Sequence, residues 1–184
     1  MLNRDKRIKF PVNLEHRDRP DFLLSMGTNE IGIEHIEAVP ENEAHKVALR
    51  EQGFGHEVYY LSPGAFGERK KSAHELIQEM EANNLGEGWI GDSVEREWTQ
   101  AMSDCIQKKI DALHKNGFSR FNDNWLLIYD NLSLPYLQIK EATALLAQNA
   151  NKNLFLYNFS HIFILLKEKF LCELSGQNCT VTKI

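Results

Sequence analysis

Long apolar runs are missing from this sequence. The two longest, Trp125 to Tyr129 and Ile162 to Leu166, hold five residues each, whereas a helix crossing a bilayer needs about 20. No membrane span is expected. Cysteine is scarce: Cys105, Cys172 and Cys179 form no CxxC and no paired framework, and an odd count suits a reducing compartment. A cytoplasmic location is expected, the more so because the opening MLNRDKRIKF is too charged for the apolar segment of a secretory signal. There is no GxxxxGK[ST], HExxH or GxSxG, and the seven histidines are scattered without ligand spacing. Phosphate-loop, zinc-protease and serine-hydrolase chemistries of the familiar kinds are thereby disfavoured.

What remains is the composition of a folded domain. In 184 residues, 42% are hydrophobic and 26% charged, which predicts a single domain with its own core over residues 1–184. Net charge is -5, but the first 20 residues carry six basic against three acidic side chains, leaving -8 on the rest. An acidic whole disfavours tight non-specific binding to nucleic acid, which rests on many basic contacts to phosphate. A locally basic entrance fits beside it.

Asp21 to Met26 reads as a strand, Gly27-Thr28-Asn29 as a turn and Glu30 to Val39 as a second strand with Ile31 and Ile33 alternating. Pro40 ends this hairpin. A polar helix over 41–52 and a strand over 57–61 follow, and residues 62–91, with Ala73, Leu76, Ile77 and Met80 on one helical face, read as a peripheral insertion. The strongest helix starts at Asp92-Ser93, where Asp92 with Glu95 suggests a capping box, and runs to about Lys115 before Asn116-Gly117. Trp125 to Tyr129 predicts a strand buried on both faces. Tyr136 to Ala150 predicts a helix, and Leu154 to Phe159 and Ile162 to Leu166 are β-prone. The order predicts an α/β (α+β) fold with a mixed sheet flanked by helices.

Two carboxylates interrupt the apolar hairpin, Asp21 at its entrance and Glu34 in its second strand. A two-residue Gly27-Thr28 turn pairs Met26 with Asn29 and sets Asp21 opposite Glu34, with Cβ atoms about 4.5–5.5 Å apart. Carboxylates that close repel unless a cation lies between them, and Mg²⁺ or Mn²⁺ is commonly held by one or two carboxylates with waters and substrate phosphates. A register slipped by one residue would instead leave Asp21 capping a turn and Glu34 paired with Arg17 or Arg19.

Pro20-Asp21 followed by Glu34 resembles the PD-(D/E)XK nuclease-like superfamily, the restriction-endonuclease-like phosphodiesterases, and the strand, acid-bearing strand, helix, strand order is similar from Pro20 to about Asn131. The stretches RPDFLL, IGIEHIEAVPENEA and WLLIYDN are also similar to segments of bacterial proteins. The resemblance implies a restriction-endonuclease-like core, Asp21 and Glu34 as metal ligands, Mg²⁺ or Mn²⁺ as cofactor, DNA or RNA as substrate, and Arg17 and Arg19 near phosphate. It also implies a catalytic lysine at 36, where this chain has Ile36. In that superfamily the lysine can migrate to the following helix.

Lys109 is the candidate there. At 100° per residue it falls within about 20° of Trp98, in the apolar stripe with Met102 and Cys105, while Lys108 lies on the flank. An ammonium in a packed face needs an anionic partner or loses its proton; Asp21 and Glu34 could supply it, or the chain could snorkel to solvent. Glu37 falls on the opposite strand face from Glu34, Glu15 is a weak further acid, His35 reads as packed beside Ile33, and Arg69-Lys70-Lys71 as solvated. The function expected is metal-dependent phosphodiester hydrolysis; the alternatives are a catalytically degenerate binding module, with a protein partner or homodimer, and an unrelated α+β protein.

Overall fold

The computed structural model describes residues 8–56, 68–82, 89–115, 117, 119, 121–132, 134–152, 155–167, 169–176 and 178–184. The strand expected over 57–61 lies outside them. In chain order the elements are β1 (Asn13–His16), β2 (Phe22–Met26), β3 (Asn29–Ala38), α1 (Glu41–Glu51), α2 (Ala73–Glu81), α3 (Ser93–Leu113), β4 (Asp123–Asp130), α4 (Ile139–Lys152), β5 (His161–Leu166), β6 (Phe170–Ser175) and β7 (Asn178–Lys183). The strands form one seven-stranded mixed sheet in the order β1-β2-β3-β4-β5-β6-β7. Strands β3, β4 and β5 are parallel, and the antiparallel β1-β2 and β6-β7 strands extend the sheet on either side.

Both long crossovers step in the same direction across the sheet, so right-handed connections bring α3 and α4 to the same face. There Trp98, Met102, Cys105 and Ile106 of α3 and Ala142 and Leu146 of α4 pack on Leu126, Ile128, Ile162 and Ile164. The opposite face carries a smaller cluster of Leu24, Met26, Ile31 and Trp125, beside which Leu127 and Tyr129 are only half-buried. Strand β4 is therefore not buried equally on its two faces. Helices α1 and α2 make their own cluster from Leu49, Leu76 and Met80. Among the described residues no helix is long and apolar enough to cross a membrane.

The hairpin has the expected register: Gly27 adopts φ 63°, Met26 faces Asn29 and Phe22 faces Ile33. Several local expectations are corrected. Asp92 makes no side-chain cap bond; its carboxylate takes Arg96 at 2.8 Å, and Glu95 instead accepts from the Gln138 amide at 2.9 Å. The capping box sits at Ser72, which exchanges bonds with Glu75. Tyr136 has φ 52°, outside right-handed helix, so α4 begins at Ile139. Leu154 to Phe159 yields a single 3-10 turn over Phe155–Tyr157. His35 is exposed, because the cluster covering its face stops near Ile33. Lys71 is not solvated but bridges Glu68 and Glu79 at 2.8 Å each, while Lys46, 7% exposed, bridges Glu43 and Glu79. These pairs tie α2 to α1.

At the end of β4, Asp130 is 3% exposed. It accepts from Trp98 Nε1 at 2.8 Å and from the Leu132 amide at 2.9 Å. Burial raises its pKa and these bonds only partly oppose that. A raised folded-state carboxyl pKa means stability present in acid is lost as pH rises through it. Trp98→Phe, which removes one donor, is expected to cost about 1–3 kcal/mol in urea unfolding, with a larger loss at neutral pH than in mild acid; an equal loss at both would contradict this account.

Candidate functional site

Pro20 is buried at the mouth of the hairpin, and a backbone bond from the Arg17 amide to the Asp21 carbonyl at 2.8 Å closes the 17–21 loop. This aims the Asp21 side chain along the extension of β2, across from Glu34. Gly32 makes the approach possible. A Cβ added there would lie 2.8 Å from Phe121, 3.0 Å from Asn124 and 3.2 Å from Pro20, so the space a side chain would occupy is filled by the groups that seat Pro20. Asn124 in turn accepts from the Phe121 amide at 3.3 Å and donates to its carbonyl at 2.6 Å.

The three sequence-predicted groups converge. Lys109 Nζ lies 2.6 Å from Glu34 Oε2 and 3.0 Å from Asp21 Oδ2. Two backbone amides complete the cluster: His35 donates to Asp21 Oδ2 at 2.7 Å and Asp21 donates to Glu34 Oε1 at 3.3 Å. Side-chain exposure is 6% for Glu34, 17% for Lys109 and 32% for Asp21, so the site opens on the Asp21 side. The slipped register and the outward Lys109 are both excluded by these contacts.

Electrostatics follow from burial. Desolvation pushes the Glu34 pKa up, and the Lys109 amine only partly offsets it. For Lys109 burial acts to lower the pKa, but the bonds to Glu34 and Asp21 outweigh it and leave the ammonium more firmly protonated than usual. The folded chain thus holds a proton on Glu34 more tightly than the unfolded chain does. Stability from that group is present below 4.5 and lost as pH rises through its folded value. The Lys109 contribution is likewise present below 10.5 and lost above its raised folded value.

No family model, curated protein or solved structure matches this chain. The site must be read from its own atoms. Arg17 and Arg19 do flank it, on the loop before Asp21, but each is drawn to an acid: Arg17 to Glu15 at 3.3 Å and Arg19 to Asp18 at 3.7 Å. Glu15 lies on β1, not on a helix, and Glu37 is exposed and accepts from Asn131 at 2.8 Å. Ile36, on the same strand face as Glu34, lines a cleft of about 580 Å³ with Glu37, Asp104, Lys108, Asp111 and Lys115. Sequence reasoning missed Gly32 and the His35 amide. A glycine inside an otherwise β-branched strand signals close backbone approach; a backbone amide carries no signal at all.

Two measurements test the site. Lys109→Met, leaving the acids facing each other, is expected to cost about 2–4 kcal/mol at neutral pH, the lower part of the range for a broken buried pair because Asp21 stays partly solvated, and the Lys109→Met/Glu34→Gln double variant should recover much of it. Relative to Glu34→Gln, the wild type should gain stability as pH falls toward 4.5; a flat difference would remove Glu34 from the account. Gly32→Ala should cost about 1–3 kcal/mol by overpacking, and an unchanged urea midpoint would show that Pro20 is not seated as described.

Proposed function

We propose that the chain is a divalent-metal-dependent phosphodiesterase of the PD-(D/E)XK nuclease-like kind, with a restriction-endonuclease-like core, acting on DNA or RNA. The observation that carries this reading is the meeting of Asp21, Glu34 and Lys109 at one point of the sheet. The acid-bearing β2-β3 hairpin followed by helix α3 and the parallel strand β4 also supports it. Asp21 and Glu34 offer hard oxygen donors suited to Mg²⁺ or Mn²⁺. Among the described residues no group of three or more histidine, cysteine or acidic ligands is assembled, so water and substrate oxygens would complete the ion's shell. When bound, the ion would supply charge stabilisation and a more acidic water.

The chain's own groups divide the remaining work. Lys109, held protonated, serves as a fixed positive charge and donor toward a phosphate oxygen, not as a proton acceptor at neutral pH. The His35 amide orients the Asp21 carboxylate, and Glu34, buried and bonded through both oxygens, is the rigid member. Asp21, the most exposed of the three, faces the side from which substrate would arrive.

A degenerate binding module on the same fold is the second reading. Two observations favour it: the amine already bonds to both acids, and the neighbouring cleft is lined by more carboxylates than amines, which repels a polyanion. The discriminating experiment is cleavage of supercoiled plasmid and of single-stranded DNA and RNA in Mg²⁺ or Mn²⁺, with calorimetric titration of Mn²⁺ alongside. Asp21→Ala and Lys109→Met are each expected to slow cleavage by about 10²-fold or more. Full activity in Asp21→Ala would place any chemistry elsewhere, and absence of Mn²⁺ binding with absence of cleavage would favour the binding module.

A further inference from the structure

The β6-β7 hairpin brings together two cysteines that no sequence pattern paired. Cys172 on β6 lies opposite Val181, and Cys179 on β7 lies opposite Leu174, so the two occupy a diagonal on one face of the sheet, the face covered by α4. Their sulfurs are 2.9 Å apart, both as free thiols. Cys172 is fully buried in the main core, whereas Cys179 is half-buried at its margin. Cys179 is thus the less buried of the two, with the Cys172 sulfur directly beside its own. A sulfur–sulfur bond is about 2.03–2.05 Å long, so closing it needs an approach of about 0.9 Å from the observed 2.9 Å. Among the described residues strand β7 pairs only with β6, which leaves its other side unconstrained by the ladder.

We propose that Cys172 and Cys179 form a thiol-pair oxidation site, in which Cys179 reacts with hydrogen peroxide and Cys172 resolves the product to an intramolecular disulfide. The Cys179 thiolate attacks one peroxide oxygen; an S–O bond forms, the O–O bond breaks, and the departing oxygen leaves as water after taking up a proton. The Cys172 sulfur then attacks the sulfenic acid, forming the S–S bond and releasing a second water. Overall, two thiols lose two electrons and two protons, and one peroxide is reduced to two waters. The Cys172 thiol bonded to Cys179 draws the pKa of Cys179 down, against burial, and pushes its own up. This is the order that attacker and resolver require. Cys105 provides an internal contrast: it is 2% exposed, and burial pushes its pKa up to about 12.

The test uses the full chain, treated with hydrogen peroxide near stoichiometry, then denatured, alkylated and analysed by peptide mass spectrometry without reductant. Free thiols are expected to fall from three to one, the survivor being Cys105, with the segment carrying Cys172 and Cys179 lighter by two hydrogens and restored by dithiothreitol. Cys172→Ser should stop at a sulfenic acid on Cys179 that a 1,3-dione reagent traps. Retention of three thiols, a disulfide between two chains, or consumption of Cys105 at the same rate would each overturn the proposal.

Discussion

An ammonium group cannot sit in the seam between a helix and a sheet unless oxygens replace the water it gives up. Lys109 points into that seam because its position on α3 is interleaved with Met102, Cys105 and Ile106, all of which must face the sheet. The residues beneath it are therefore not free to be apolar. Glu34 and Asp21 satisfy the amine, and the amine satisfies them; removing the amine leaves two carboxylates facing each other in a poorly solvated place. The same contact joins segments 88 residues apart, from Asp21 to Lys109, and so ties the hairpin to the longest helix while setting out the only groups of the chain proposed here for hydrolysis.

That arrangement depends on strand register. Side chains alternate across a sheet, and a slip of one residue in β3 would turn Glu34 away from α3 and bring His35 or Ile33 to Lys109. Two local devices prevent it. The Gly27-Thr28 turn sets the pairing from one end, and the packing of Pro20 over Gly32 sets it from the other. Neither is an acid or a base, yet both decide where the acids point.

The parts of this structure that were legible in sequence are those specified by short-range periodicity. Alternating Ile31 and Ile33 with a glycine-led turn revealed the hairpin and its pairing, and the 3.6-residue stripe through Trp98 placed Lys109 on the buried face of α3. Less was visible where an element is stabilised from outside itself. Strand β1 is four exposed residues with no buried face to announce it, and β7, NCTVTK, has little apolar content of its own. The proximity of Cys172 and Cys179 follows from that unread hairpin, not from their spacing. Asp92 and Glu95 spell a capping box, but a better partner for each, Arg96 and the Gln138 amide, lies within reach in the folded chain. Tertiary competition of this sort has no trace in a window of a few residues.

Strand order in the sheet is the same as strand order in the chain. No strand has to be inserted between two that are already paired, so the sheet can grow by addition at one margin as polypeptide leaves the ribosome. The first three strands form a meander, and its two acids have no Lys109 to bond to in any chain that ends before residues 93–113. The charged cluster thus bolts the amino-terminal meander to a helix that follows it in the chain.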